Sequence, residues 1–317
     1  MSTHDTRDEL KVSTRLIYDE MIAQNIPVTI ISASSNLLEY TDARKTDHLL
    51  FSTCSDKSSA AGKAIADSKI KTTHIAESLN VSMPATIACR DIREARKFLA
   101  EHPAVVVKPS LGSGGGGVST NIQTEDELRH AYDYAKNYSH LVVVQQHIVG
   151  DDVRLLVVGG KFCSAVIRKP AHVVGDGIHS TEELIHDANA SLSRNDDSRS
   201  SLMHINQHAA RRFLGEAIRG IPLAGEEVRV VGPANVSLGG SLHEATQLVT
   251  PEMITDAEAI TKKLGLGICG VDMMWDRKTN RQYLIEVNAT PGIDIHNDPF
   301  SNTSSDAVAR YVQWLAK

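Results

Sequence analysis

Two stretches of this chain carry residue types able to do chemistry together, and they lie far apart in sequence. The first is VVVKPSLGSGGGGV, in which Lys108 closes a β-type run and a glycine-rich segment follows. Gly112, Gly114 and Gly117 satisfy G-x-G-x-x-G, yet the glycines lead into VSTNI, a strand-type run, whereas a dinucleotide loop must open a helix at the pyrophosphate. Gly112 to Gly117 also matches the first half of a P-loop, but Val118 stands where the lysine belongs. What is left is a hairpin tip at which Gly114, Gly115 and Gly116 can bring bare N–H groups against phosphate oxygens, since no Cβ holds the ligand away. Lys108 would add a point charge. The composition fits a flexible tip with a solvated lysine equally well.

The second stretch holds oxygen ligands. GVDMMWD places Asp272 in an apolar run, where an unpaired carboxylate is costly to bury. LIEVNATPG places Glu286 and Asn288 two apart in a strand, hence on one face, with Ile285 and Val287 expected in the opposite layer. If the two strands pair through the DRKTNR turn, Asp272 joins them. Two carboxylates and an amide oxygen form a hard donor set suited to magnesium, with manganese able to substitute. A solvated sheet face is the alternative home for such residues.

The elements that must position these groups alternate between helix and strand. TRLIYDEMIAQNI and PVTIIS read as a helix and a strand, and LLEYTDARKTDHLLFS as a small helix and a strand. KTTHIAESLN is amphipathic, DIREARKFLAEH is a helix with Asp91 at its N-cap, and Thr124 with Glu127 forms a capping box. Gly159-Gly160 marks a hairpin turn, residues 175 to 201 turn polar, and SRNDDSRSS has the composition of a mobile surface loop. MHINQHAARRFLGEAI, TPEMITDAEAITKKLG and SSDAVARYVQWLAK read as helices. Several strands meet short turns, so much of the sheet is expected to be antiparallel.

Composition narrows the partners. A 317-residue chain, 41% hydrophobic and 23% charged, can bury a substantial core. A formal charge of -6 and 4% aromatic residues supply neither a basic field nor stacking platforms, which argues against nucleic acid. No apolar run is long enough to span a bilayer and the start is polar, so no membrane is expected and the cytoplasm is the default location. Cys54, Cys89, Cys163 and Cys269 are scattered singly and read as buried thiols. Three Asn-x-Ser/Thr triplets, at Asn137, Asn235 and Asn302, lack a signal peptide and so a route to glycosylation.

Taken together, the chain resembles the ATP-grasp superfamily, in particular the ligase module of cyanophycin synthetases and the ATP-grasp part of bifunctional glutathione synthetases. IRKPAHVVGDGIHSTEELI is the most specific match, and ANVSLGGSLHEAT and LIEVNATPGIDIHNDP resemble the same families. The resemblance implies an α+β and α/β fold in which two subdomains grip ATP between largely antiparallel sheets. Its expected units are an N-terminal α/β unit over 1–68, a central lid with the glycine-rich loop over 69–144, and a C-terminal subdomain with the metal site over 145–317. It implies that Lys71 and Lys108 bind phosphate, that Gln145, Gln146 and Ile148 lie at the adenine hinge, and that Asp152 meets the ribose. Gln145 stands where glutamate is common; its carbonyl oxygen can still accept from adenine without charge assistance. Arg154, Arg168 and Asn235 would lie near the transferred phosphate or the acyl group, and Asp272, Glu286 and Asn288 would hold magnesium. The implied activity is an ADP-forming carboxylate–amine ligation through an acyl phosphate, with small-molecule carboxylate and amine substrates such as an amino acid or short peptide. Arg154 and Arg168 suggest an anionic acyl donor. A homo-oligomer is compatible with all of this. A kinase acting without ligation and a non-catalytic nucleotide-binding regulator are the alternatives.

Overall fold

A computed structural model describes residues 6–112, 115–190, 204–232, 238–298, 303 and 305–317. Helix α1 (Val12–Ala23) packs Ile17 and Met21, one turn apart, onto a four-stranded sheet of β1 (Val28–Ser32), β2 (Leu37–Thr41), β3 (Asp47–Phe51) and β4 (Cys54–Ser55). LLEYTDARKTDHLLFS is therefore a hairpin, not the expected helix and strand. Period-two burial of Leu38, Tyr40 and Leu50 fixes it, and the Asp42 carboxylate closes the turn by accepting from the N–H groups of Arg44 (2.9 Å) and Thr46 (3.0 Å).

Two serine-capped helices follow, α2 (Ala60–Ala66) and α3 (Lys69–Ser78). Next comes a second sheet with strand order β5-β8-β6-β7, built from β5 (Thr86–Cys89), β6 (Val105–Pro109), β7 (Ser119–Ile122) and β8 (Val142–Gln146). It is covered by α4 (Ile92–Glu101) and α5 (Glu125–Lys136), and Phe98, Leu128 and Ala135 fill the layer between. The Asp91 cap and the Thr124–Glu127 capping box both form. Helix α3, expected with this lid, gives Ala76 to the main core instead.

The main sheet has the order β13-β10-β9-β14-β15. In chain order its parts and neighbours are β9 (Asp151–Val158), β10 (Lys161–Lys169), β11 (His172–Val174), α6 (Thr181–Ala190), α7 (Gln207–Leu214), β12 (Glu227–Arg229), β13 (Ser241–Glu244), α8 (Pro251–Leu264), β14 (Ile268–Asp276), β15 (Arg281–Asn288) and α9 (Ala307–Leu315). Gly159 and Gly160, at φ 57° and 75°, make the expected β9–β10 turn. Every strand pair among the described residues is antiparallel, as the short turns implied.

Both faces of β9 are covered. Val153, Leu155 and Val157 face α8, while Leu156 and Val158 face α9 and the N-terminal unit. That second face, followed toward the other end of the strands, carries Asp152 and Arg154. A two-stranded sheet of β11 and β12, with α6 and α7, encloses its own small core around Ile185, Ala210 and Val230. Helix α6 occupies part of the stretch that turns polar; Thr181 and Ile185 are buried, and Leu184 and Ala188 pack half-buried against the same small core. SRNDDSRSS lies outside the described residues. No helix among the described residues is long and apolar enough to cross a membrane.

Candidate active site

A cavity of about 570 Å³ lies between the lid sheet and the main sheet. Pairing register explains its floor: Arg154 is opposite Asp272, and Asp272 is opposite Glu286, so three neighbouring strands present one charged row. A β-bulge sharpens the arrangement on β15, where the register shifts between Asp272 and Met273 and leaves Ile285 as the extra residue. Leu284 and Val287 can thus both enter the core while Glu286 and Asn288 face the cavity. Ile285 also lines the cavity, contrary to the expectation that it joins Val287 in the opposite layer; strict alternation fails at a bulge.

Asp272, 5% exposed, is enclosed by charge. Arg154 donates to it twice, Nε to Oδ1 and Nη2 to Oδ2, both at 2.6 Å, and Arg168 Nη2 lies 3.1 Å from Oδ2. Burial acts to raise the Asp272 carboxyl, but the two guanidinium groups outweigh it and hold the group below its ordinary value. Asp152 accepts from Arg168 Nη2 at 2.5 Å and Nε at 3.1 Å; there burial prevails and the carboxyl is raised. Both of these bonds fall on Oδ1, and Asp152 lines the cavity. The Asn288 amide lies 3.4 Å from Asp272 Oδ2.

Lys108, 5% exposed, lies opposite Val143 and donates to Gln145 Oε1 at 2.8 Å. Gln145 Nε2 in turn donates to Thr86 Oγ1 at 2.9 Å. The carbonyl oxygen expected to accept from adenine thus already accepts one bond, from Lys108, and Gln145 lines the cavity together with Gln146 and Ile148. Desolvation lowers Lys108 to about 8, with Glu286 opposing and Lys69 adding to the shift.

Lys69, not Lys71, reaches the cavity. Ser68 bridges to Leu111, and Lys69 Nζ donates to Gly112 O at 2.9 Å and lies 4.0 Å from Glu286 Oε1. Lys71, two residues along α3 and so about 200° around it, is exposed and does not line the cavity. The sequence offered no cue to the choice, because the bridge that sets the phase of α3 is a long-range one. Asp294 was missed as well. It lines the cavity and is held by a short hydrogen bond from Ser13 on α1.

Gly115 and Gly116 line the cavity, whereas Gly114 and Asn235 fall outside the described residues. Gly116 and Gly117 are glycine for a reason the sequence did not suggest. A Cβ on them would come within 3.0 and 2.8 Å of the Tyr138 ring, and Gly117 has φ +74°. His296 is fully buried, with Ser164 Oγ 2.9 Å from its Nδ1, and desolvation, then Arg154 and Arg168, lowers its imidazole to about 3.

Among the described residues no three His, Cys, Asp or Glu side chains converge on a metal position. Asp272, Glu286 and Asn288 are instead two carboxylates and an amide on one face, which suits a hard cation that keeps water and phosphate ligands. Such a cation would compete with Arg154 and Arg168 for Asp272.

Residues 69–177 match the family described as prokaryotic glutathione synthetase, ATP-grasp domain. The cyanophycin synthetase of Trichormus variabilis is 31% identical over 259 residues, covering 78% of this chain and 29% of that protein. The bifunctional glutathione biosynthesis protein of Listeria welshimeri is 26% identical over 304 residues, covering 92% of this chain and 39% of that protein. The crystal structure of a bifunctional glutathione synthetase from Pasteurella multocida superposes with a TM-score of 0.68 at 24% identity, over 98% of this chain and 44% of that one. The chain thus spans less than half the length of these relatives. Over residues 69–177 the chain is thus similar to the ATP-grasp domain of prokaryotic glutathione synthetases, and its fold is similar to that of the Pasteurella multocida protein.

Proposed function

We propose that the protein is an ATP- and magnesium-dependent carboxylate–amine ligase that forms an amide bond through an acyl phosphate and releases ADP. The observation that carries this reading is convergence. Lys69, Lys108, Asp272, Glu286 and Asn288, drawn from four separate parts of the chain, line one cavity together with the glycine hairpin. Similarity to peptide-bond-forming synthetases adds to it.

In this reading an oxygen of the substrate carboxylate attacks the γ-phosphorus of ATP, and ADP leaves. The amine nitrogen then attacks the acyl carbon, and phosphate leaves with the carboxylate oxygen. Lys69 and Lys108 hold the phosphates in line, and Gly115 and Gly116 offer N–H groups. Arg154 and Arg168 pass from Asp272 to the charge developing on the transferred group. Asp272, Glu286 and Asn288 would hold magnesium, which when bound neutralises phosphate charge. The buried walls exclude water that would hydrolyse the acyl phosphate. A cytoplasmic setting agrees with the nucleotide requirement.

Isotope transfer tests the mechanism. With ATP, an amine and a carboxylate donor labelled with ¹⁸O, the released phosphate should carry one labelled oxygen per amide formed. Unlabelled phosphate, or ADP release that ignores the carboxylate, would remove the acyl phosphate from the reading.

A further inference from the structure

The lid and the small module around β11 and β12 have separate hydrophobic cores, the first holding Leu128 and Ala135, the second Ile185 and Val230. Units that share no core are coupled by the side chains that cross between them. The last turn of α7 supplies such side chains. Successive residues there are turned by about 100° around the helix, so Arg211, Arg212 and Phe213 leave it in different directions. Arg211 Nη2 pairs with Glu182 Oε1 of α6 at 2.6 Å, within the module, and the Phe213 ring lies 5.9 Å from the Arg229 guanidinium. Arg212 crosses to the lid.

The Arg212 guanidinium lies 4.0 Å from the centre of the Tyr134 ring on α5, and Arg212 forms no ion pair among the described residues. The electron-rich face of the ring is therefore its partner. Tyr134 meets Tyr138 edge-on, with ring centres 5.5 Å apart and planes at 85°, and Tyr138 Oη donates to Tyr134 Oη at 3.4 Å. Each aromatic ring thus orients the next.

Tyr138 carries the contact onto the glycine hairpin. The same ring that a Cβ on Gly116 or Gly117 would strike is in direct contact with the hairpin backbone, and Pro109 backs Gly117. Val118 N–H donates to Gly115 O at 3.3 Å and closes the tip, whose Gly115 and Gly116 line the cavity. The Tyr138 hydroxyl lowers the Tyr134 phenol against the effect of burial, and the Gly117 backbone and Arg212 lower it further. Helix α7, helix α5 and the hairpin therefore meet around one phenol.

We infer that Arg212 is a positioning residue: from outside the cavity it fixes Tyr134, and through Tyr138 it holds the glycine hairpin in the form that presents Gly115 and Gly116 to the nucleotide. The small module thereby tunes nucleotide affinity through a side chain that touches no ligand. The effect on the nucleotide rests on the ligase reading, whereas the hold on the hairpin does not.

Two measurements on the full chain test this, and the first needs no nucleotide. Amide hydrogen exchange over residues 115–118 should be about threefold faster in Arg212→Gln and in Tyr134→Leu than in the parent. Arg212→Lys, which keeps a cation over the ring, should stay closer to the parent. The double variant should exchange no faster than the faster single one, because the guanidinium acts through the ring. In calorimetry, the Kd for MgADP should rise by about the same factor in the same variants, with the melting temperature of Arg212→Gln unchanged. Exchange in Arg212→Gln equal to the parent's, or additive losses in the double variant, would overturn the inference. Faster exchange with undiminished MgADP affinity would overturn it too, since the hairpin would then be held for something other than the nucleotide. A parent that takes up no MgADP would remove the ligase reading instead, and exchange would still decide whether Arg212 holds the hairpin.

Discussion

Asp272 shows how one carboxylate can serve two states. Without a ligand it neutralises Arg154 and Arg168, both largely buried, and removing its charge leaves two guanidinium groups without their main counter-ion. Asp272→Asn should therefore lower stability by about 3 kcal/mol in urea unfolding, as well as slowing ADP formation. A variant as stable as the parent would mean that the arginines find other partners. Lys108 makes a pH prediction of definite sign. Its folded value of about 8 lies below the ordinary 10.5, so between these pH values the unfolded chain holds a proton that the folded chain has lost. This group's contribution to stability consequently rises with pH through that window, while the charge available to a phosphate falls. Nucleotide affinity should weaken above pH 8, by up to about tenfold per unit, and Lys108→Met should flatten the profile. A parent profile flat from pH 7 to 10 would contradict this.

At the scale of elements, the strands that carry the site were the most legible part of the sequence. Glu286 and Asn288 share a face because they are two apart, and the DRKTNR turn pairs them with Asp272 as expected. What local pattern could not express was tertiary. The bulge that turns Ile285 into the cavity is a register event between two strands, and the contact that selects Lys69 over Lys71 is a bridge between Ser68 and Leu111. The glycine hairpin combines both kinds of information. Its glycines suit phosphate, but Gly117 is also pressed between Tyr138 and Pro109 at positive φ. Gly117→Ala should therefore reposition the tip and weaken nucleotide binding about tenfold with little change in melting temperature. Adding Tyr138→Ala should recover only part of the loss, because the positive φ and the Pro109 contact persist. Unchanged affinity in Gly117→Ala would detach the hairpin from the nucleotide.

Across the whole molecule, the cavity exists because the lid sheet and the main sheet meet over one face, whose far end is buried under α9 and the N-terminal unit. Alternation along β9 does both jobs with one strand: Leu156 and Val158 anchor the core, and Asp152 and Arg154 floor the cavity. The antiparallel architecture and the capped helices could be read in advance. The small module around β11 and β12 could not, since its core is thin and α6 is polar on most of its surface. The central claim is that lysines from two elements and oxygen ligands from two strands surround a single magnesium nucleotide. Calorimetric titration of MgADP into the parent, Lys108→Met and Glu286→Gln tests it most directly. The account predicts one nucleotide per chain, dependence on magnesium, and affinity at least about tenfold weaker in each variant. No uptake by the parent, or equal affinity in all three proteins, would contradict it.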